Sequence, residues 1–67
     1  MDIILNQESK TFPDNCTVQQ LMDIVLPDKQ KGVAVAINQA VIPRPNWSTH
    51  TLHPNDNVLL IKATQGG

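Results

Sequence analysis

The sequence predicts an α+β domain, a mixed sheet with one main helix packed across one face. Three observations carry this. An alternating apolar run opens the chain. A capped, helix-periodic stretch follows it at Thr17–Val25, and the longest β-prone run in the chain, Asn57–Ala63, lies close to the C-terminus. A first and a last strand on either side of one helix are best placed to pair centrally, with the helix lying over them.

Each element can be justified in order. Ile3 and Leu5 alternate with Asp2, Ile4 and Asn6, the period of a strand with one buried face. Gln7-Glu8-Ser9 is expected to turn the chain, and Lys10-Thr11-Phe12 to return as a short partner strand closed by Pro13. Thr17 followed three residues later by Gln20 forms a capping box, which satisfies two otherwise orphaned backbone N–H groups and starts the helix. Val18, Leu21, Met22 and Val25 make one apolar stripe along it, and Pro27 stops it. After a polar connection over 28–32, Val33, Val35 and Ile37 predict a third strand, and Asn38-Gln39 its turn. Val41-Ile42 return briefly. Pro43 and Pro45 cannot donate to a ladder, so that strand belongs at an edge. His53-Pro54-Asn55-Asp56 is a turn composition, with Asn tolerating a left-handed backbone. The run beginning at Asn57 is apolar enough for a central strand. If Leu59 and Ile61 face the helix, strict alternation places Val58, Leu60 and Lys62 on the opposite face as a docking patch.

Composition narrows the function. With 67 residues the chain makes one domain, 1–67, and a domain of this size buries only roughly 60% of its unfolded surface, too little for a deep, complete active site. Five basic against six acidic residues provide no positive field for nucleic acid. Cys16 is the sole cysteine, so no internal disulfide forms and a reducing, cytoplasmic setting is expected. The first residues carry neither a basic segment nor a long apolar one, so neither a signal peptide nor a membrane span is expected. Asn15-Cys16-Thr17 and Asn46-Trp47-Ser48 match the glycosylation pattern only by chance in such a setting.

No phosphate-binding loop, metal-ligand cluster or nucleophile-base signature is present, so the chain is not read as an enzyme, and no bound cofactor is expected. His50 and His53 have no third ligand nearby and are read as solvated loop histidines. Cys16 precedes the helix, where a thiolate can be stabilised, yet a lone cysteine is more often a small buried hydrophobe. Trp47 is read as packing. Arg44, between two prolines, is held on a stiff segment and can bind a carboxylate or phosphate. The terminal Gly66-Gly67 pair, without side chains, can thread a narrow channel into another protein. Alone it is a weak motif.

The stretch Val35-Ala36-Ile37-Asn38-Gln39-Ala40-Val41-Ile42-Pro43-Arg44, with Trp47 three residues on, resembles the middle of the ThiS family, the sulfur carriers of thiamine biosynthesis. Asp56-Asn57-Val58-Leu59-Leu60-Ile61 and Gly66-Gly67 resemble the family's last strand and tail. The resemblance implies a ubiquitin-like β-grasp fold, with 64–67 as a flexible C-terminal tail. It implies that a ubiquitin-activating-like adenylyltransferase, using ATP and magnesium, adenylates the Gly67 carboxylate. Sulfur from a cysteine desulfurase then gives a thiocarboxylate, from which thiazole synthase takes the sulfur. Gly66 and Gln65 would enter the partner's active site, and Val58, Leu60, Lys62 and Arg44 would contribute to docking. Two positions depart from the family pattern: Asn55 stands where glycine is common, and Gln65 where a smaller residue is frequent. Three other readings stay open at this point: a molybdopterin-synthase carrier, a ubiquitin-like protein modifier, and a β-grasp binding module without carrier chemistry.

Overall fold

The structure, a computed structural model, describes residues 1–62. Strands β1 (Asp2–Leu5) and β2 (Glu8–Thr11) are followed by α1 (Val18–Val25), β3 (Val33–Ile37), β4 (Ala40–Ile42), a short 3-10 turn (Arg44–Asn46) and β5 (Asn57–Lys62). They form one five-stranded sheet in the order β2-β1-β5-β3-β4, and β1 and β5 are its parallel pair. The expected central pairing of first and last strands is therefore present. Ala63, assigned to the last strand from sequence, lies outside the described residues, as do Gln65, Gly66, Gly67 and the whole 64–67 tail.

Two hairpins shape the sheet by the same local means. Leu5 pairs with Glu8 and Ile37 with Ala40, leaving two-residue loops at Asn6-Gln7 and Asn38-Gln39. All four loop residues have positive φ, at 47° and 70° in the first loop and 50° and 74° in the second. A two-residue hairpin needs this left-handed pair to match strand twist, and Asn tolerates it best among residues with side chains. The first turn accordingly sits one residue earlier than the expected Gln7-Glu8-Ser9, and Glu8 already belongs to β2. Asn55, at φ 67°, likewise takes the left-handed conformation for which glycine would be the usual choice.

The capping box forms as predicted. The Thr17 hydroxyl accepts from the Gln20 N–H at 3.1 Å, and the Gln20 carboxamide accepts from the Thr17 N–H at 2.9 Å. The next two donors of the helix are also satisfied: Val18 N–H donates to the His50 carbonyl and Gln19 N–H to the Trp47 carbonyl. Val18, Leu21 and Met22 are buried against the inner sheet residues Ile3, Leu5, Val35, Ile37 and Val58. Phe12, Cys16, Trp47 and Leu52 close the core from the connections. Among the described residues no helix is long and apolar enough to cross a membrane.

Candidate functional site

The chemistry-bearing residues singled out from sequence are not brought together, and most prove structural. The Trp47 ring is 1% exposed and its indole N–H donates to the Ile42 carbonyl at 2.9 Å, which makes it a packing residue. Cys16 is 2% exposed, and burial pushes its thiol pKa up, the opposite of an activated thiolate. His53 is exposed; its backbone N–H donates to the Asp56 carboxylate, and its ring Nδ1 lies 3.9 Å from the same carboxylate. Among the described residues no three His, Cys, Asp or Glu side chains converge to hold a metal ion.

Alternation along β5 runs opposite to the sequence expectation. Val58 is fully buried and Leu60 packs half-buried against the core, whereas Leu59 and Ile61 are 44% and 47% exposed on the face away from the helix. The reason is positional. A run apolar on both faces does not declare its own phase, and the pairing of Leu5 with Val58 and of Val35 with Leu60 carries Val58 and Leu60 onto the helix side. The docking patch expected at Val58, Leu60 and Lys62 is thus corrected: Val58 is core, while Leu60 and Lys62 line a groove. Arg44 stands apart from both. It stacks 5.3 Å from the Trp47 ring centroid and borders a polar cleft with Asp23, Pro27, Asp28, Gln30 and Lys31. Beside that cleft, the Gln30 and Gln19 carboxamides donate to the Asp23 carboxylate and hold its pKa below the usual range.

Two surfaces flank β5. Its outer face is apolar: Leu59 stands opposite Ala36, Ile61 opposite Ala34, and Val41 continues the first row, with Ile4 exposed nearby. At one end of this face Gln7, Gln39, Ala36, Asn57 and Leu59 line a depression of about 170 Å³. Beside the strand, on the helix side, Leu5, Asn6, Val25, Leu26, Leu60 and Lys62 line a groove of about 440 Å³. Sequence reasoning missed the outer pair Leu59 and Ile61 as the exposed apolar residues. The signal that locates them is register, which follows only once the neighbours of β5 are known.

A buried polar cluster fixes the start of β5. The Asp56 carboxylate is largely buried and accepts from His53 N–H at 2.8 Å and from the Asn38 carboxamide at 3.0 Å. The Asn38 carboxamide oxygen in turn accepts from Asn57 N–H at 2.9 Å. The strand that ends five residues before Gly67 is therefore anchored at its head by side chains and by β1, and along its length by β3.

A mixed five-stranded sheet with one helix across it, and its central strand closest to the C-terminal diglycine, defines a ubiquitin-like β-grasp domain. Solved structures agree. The crystal structure of a thiamine biosynthesis protein (ThiS) from Geobacter metallireducens superposes with a TM-score of 0.88 over the full length of both chains, at 22% identity. An NMR solution structure of a thiamine biosynthesis protein from the same organism gives a TM-score of 0.78, covering all of this chain and 88% of that one, also at 22% identity. In sequence, the chain is 34% identical to the sulfur carrier protein ThiS of Escherichia coli over 67 residues, the whole of both chains. The ThiS family profile matches residues 3–67, and the chain belongs to the ThiS family, the sulfur carriers of thiamine biosynthesis. It is a carrier and not itself a catalyst, and its work requires partner enzymes of that pathway.

Proposed function

We propose that the chain carries sulfur as a thiocarboxylate on Gly67. The observation that supports this most is the family match, which runs through the C-terminal Gly66-Gly67. A carboxylate is a poor acyl donor until one oxygen becomes a good leaving group. In the proposed cycle a Gly67 carboxylate oxygen attacks the α-phosphorus of ATP and pyrophosphate leaves. The terminal sulfur of the desulfurase-derived persulfide then attacks the acyl carbon and AMP leaves, giving an acyl disulfide. A thiol attacks the cysteine sulfur of that disulfide, which releases the thiocarboxylate and leaves a disulfide between the two thiols.

The adenylyltransferase supplies the nucleotide site and magnesium, a cysteine desulfurase supplies the sulfur, and thiazole synthase receives it. This division of labour suits a chain in which no three described His, Cys, Asp or Glu side chains converge to hold a metal ion. A cytoplasmic setting fits a buried thiol at Cys16. Gln65 and Gly66 precede the reacting group and enter the partner's channel. The outer face carrying Leu59 and Ile61 contributes a docking surface, because its apolar side chains lie uncovered on the strand nearest Gly67.

The test is the intact mass of the protein before and after incubation with its adenylyltransferase, ATP, magnesium and a sulfur source. A gain equal to replacing one oxygen by sulfur, located at Gly67 by fragmentation, supports the reading. An unchanged mass, where a known carrier is modified in parallel, rejects it.

A further inference from the structure

Among the described residues, the end of β5 has one open edge. Backbone groups of Asp56, Val58 and Leu60 point toward β1: Ile4 N–H donates to the Asp56 carbonyl and Asn6 N–H to the Val58 carbonyl, both at 2.9 Å. At Asn6 the chain turns away into β2. The Asn6 side chain then stands in for the missing strand, its carboxamide oxygen accepting from Leu60 N–H at 2.9 Å. The odd-numbered groups face β3, as the bond from Asn38 N–H to the Asn57 carbonyl shows. Alternation therefore places the Leu60 carbonyl and the Lys62 N–H on the vacated side of the strand, where β1 supplies no partner. The groove of about 440 Å³ lies beside this edge, its apolar wall formed by Leu5, Val25, Leu26 and Leu60, with Lys62 at its rim. Lys62 forms no ion pair among the described residues.

We propose that this edge is a strand-addition site: an extended segment of the enzyme that activates Gly67 pairs with Leu60 and Lys62 in the lane that β1 vacates. One aliphatic side chain of that segment enters the groove, and an acidic residue two positions along meets Lys62. The occupant follows from reach. Four residues lie between Lys62 and Gly67, which makes five steps along the chain. Those steps span at most about 18 Å when extended, so whatever holds Gly67 in an active site also stands over the end of β5. An open edge above an apolar groove is the geometry that peptide strands use to join a sheet, main-chain bonds giving affinity and pockets giving selectivity. The proposal rests on the carrier reading.

The test uses the full chain and the adenylyltransferase of the same organism. Lys62→Pro removes the N–H on the open edge without removing a bond to β3, whereas Lys62→Ala removes the same side chain and keeps that N–H. Affinity for the enzyme is expected to fall about tenfold further for the proline variant than for the alanine variant. Amide exchange at Lys62 of the unaltered chain is expected to slow at least about tenfold in the complex, as a newly bonded N–H should. Adenylation of Gly67 with an unprotected Lys62 amide overturns the strand addition and leaves the carrier reading intact. Protection without adenylation does the reverse, and a chain that neither binds nor is adenylated overturns both. Should Lys62→Pro fail to fold, the exchange measurement on the unaltered chain decides.

Discussion

The same dipeptide, Asn-Gln, makes both hairpin turns, yet the two turns do different work on β5. Asn38 holds the head of the strand. Its carboxamide both accepts from Asn57 N–H and donates to the buried Asp56 carboxylate, so it belongs to a closed network with His53. Asn6 holds the tail of the strand with a single side-chain bond, to Leu60 N–H, made across 54 residues of sequence. Backbone demand is identical at the two sites, since both need a left-handed Asn. The difference lies in what surrounds the side chain. A charged acceptor inside the fold makes the first turn an anchor, while the second marks where pairing stops and the edge opens.

Breaking the anchor should have the largest effect. Asp56→Ala leaves the Asn38 carboxamide and His53 N–H without their acceptor, and about 2 to 3 kcal/mol of stability should be lost in denaturant unfolding. Asn38→Gly keeps the left-handed backbone and deletes only the side-chain bonds, so a loss of about 2 kcal/mol is expected, with faster amide exchange at Asn57. Asn6→Gly removes one neutral bond by the same logic. About 1 kcal/mol is expected, with exchange accelerated at Leu60 rather than at Asn57. If the two glycine variants lose equal stability, the distinction between anchor and end-stop fails. The smallest change in stability belongs to Leu59→Asp on the outer face, within about 0.5 kcal/mol of the parent, because the side chain already faces water. Its expected consequence is functional: slower activation at Gly67, measured as initial rate against carrier concentration, and an unchanged rate would remove the outer face from docking.

Much of the scaffold was legible before any coordinates. Thr17 and Gln20 announce the helix start because a capping box is a local bond pattern, closed within four residues. Pro27 marks the stop, and the apolar stripe of α1 points inward as its period requires. The first and last strands pair, as the element order implies. The turn lies at Asn6-Gln7, one residue earlier than composition suggests. Its determinant is the left-handed backbone of Asn6 and Gln7, which composition signals only weakly without a glycine.

The sequence by itself determined the α+β class, the helix with its cap, the number and order of the main strands and, through resemblance over the second half of the chain, the carrier family. Those signals are local bonds, periodicities and short motifs, each complete within a few residues. Only the tertiary structure decided which face of β5 meets the helix, because Val58, Leu59, Leu60 and Ile61 are apolar on both faces and carry no phase of their own. Only it showed that Asn6 ends the β1 lane and leaves the Leu60 and Lys62 edge beside an apolar groove. Both depend on pairing between residues more than 50 positions apart, and no local pattern encodes such a register.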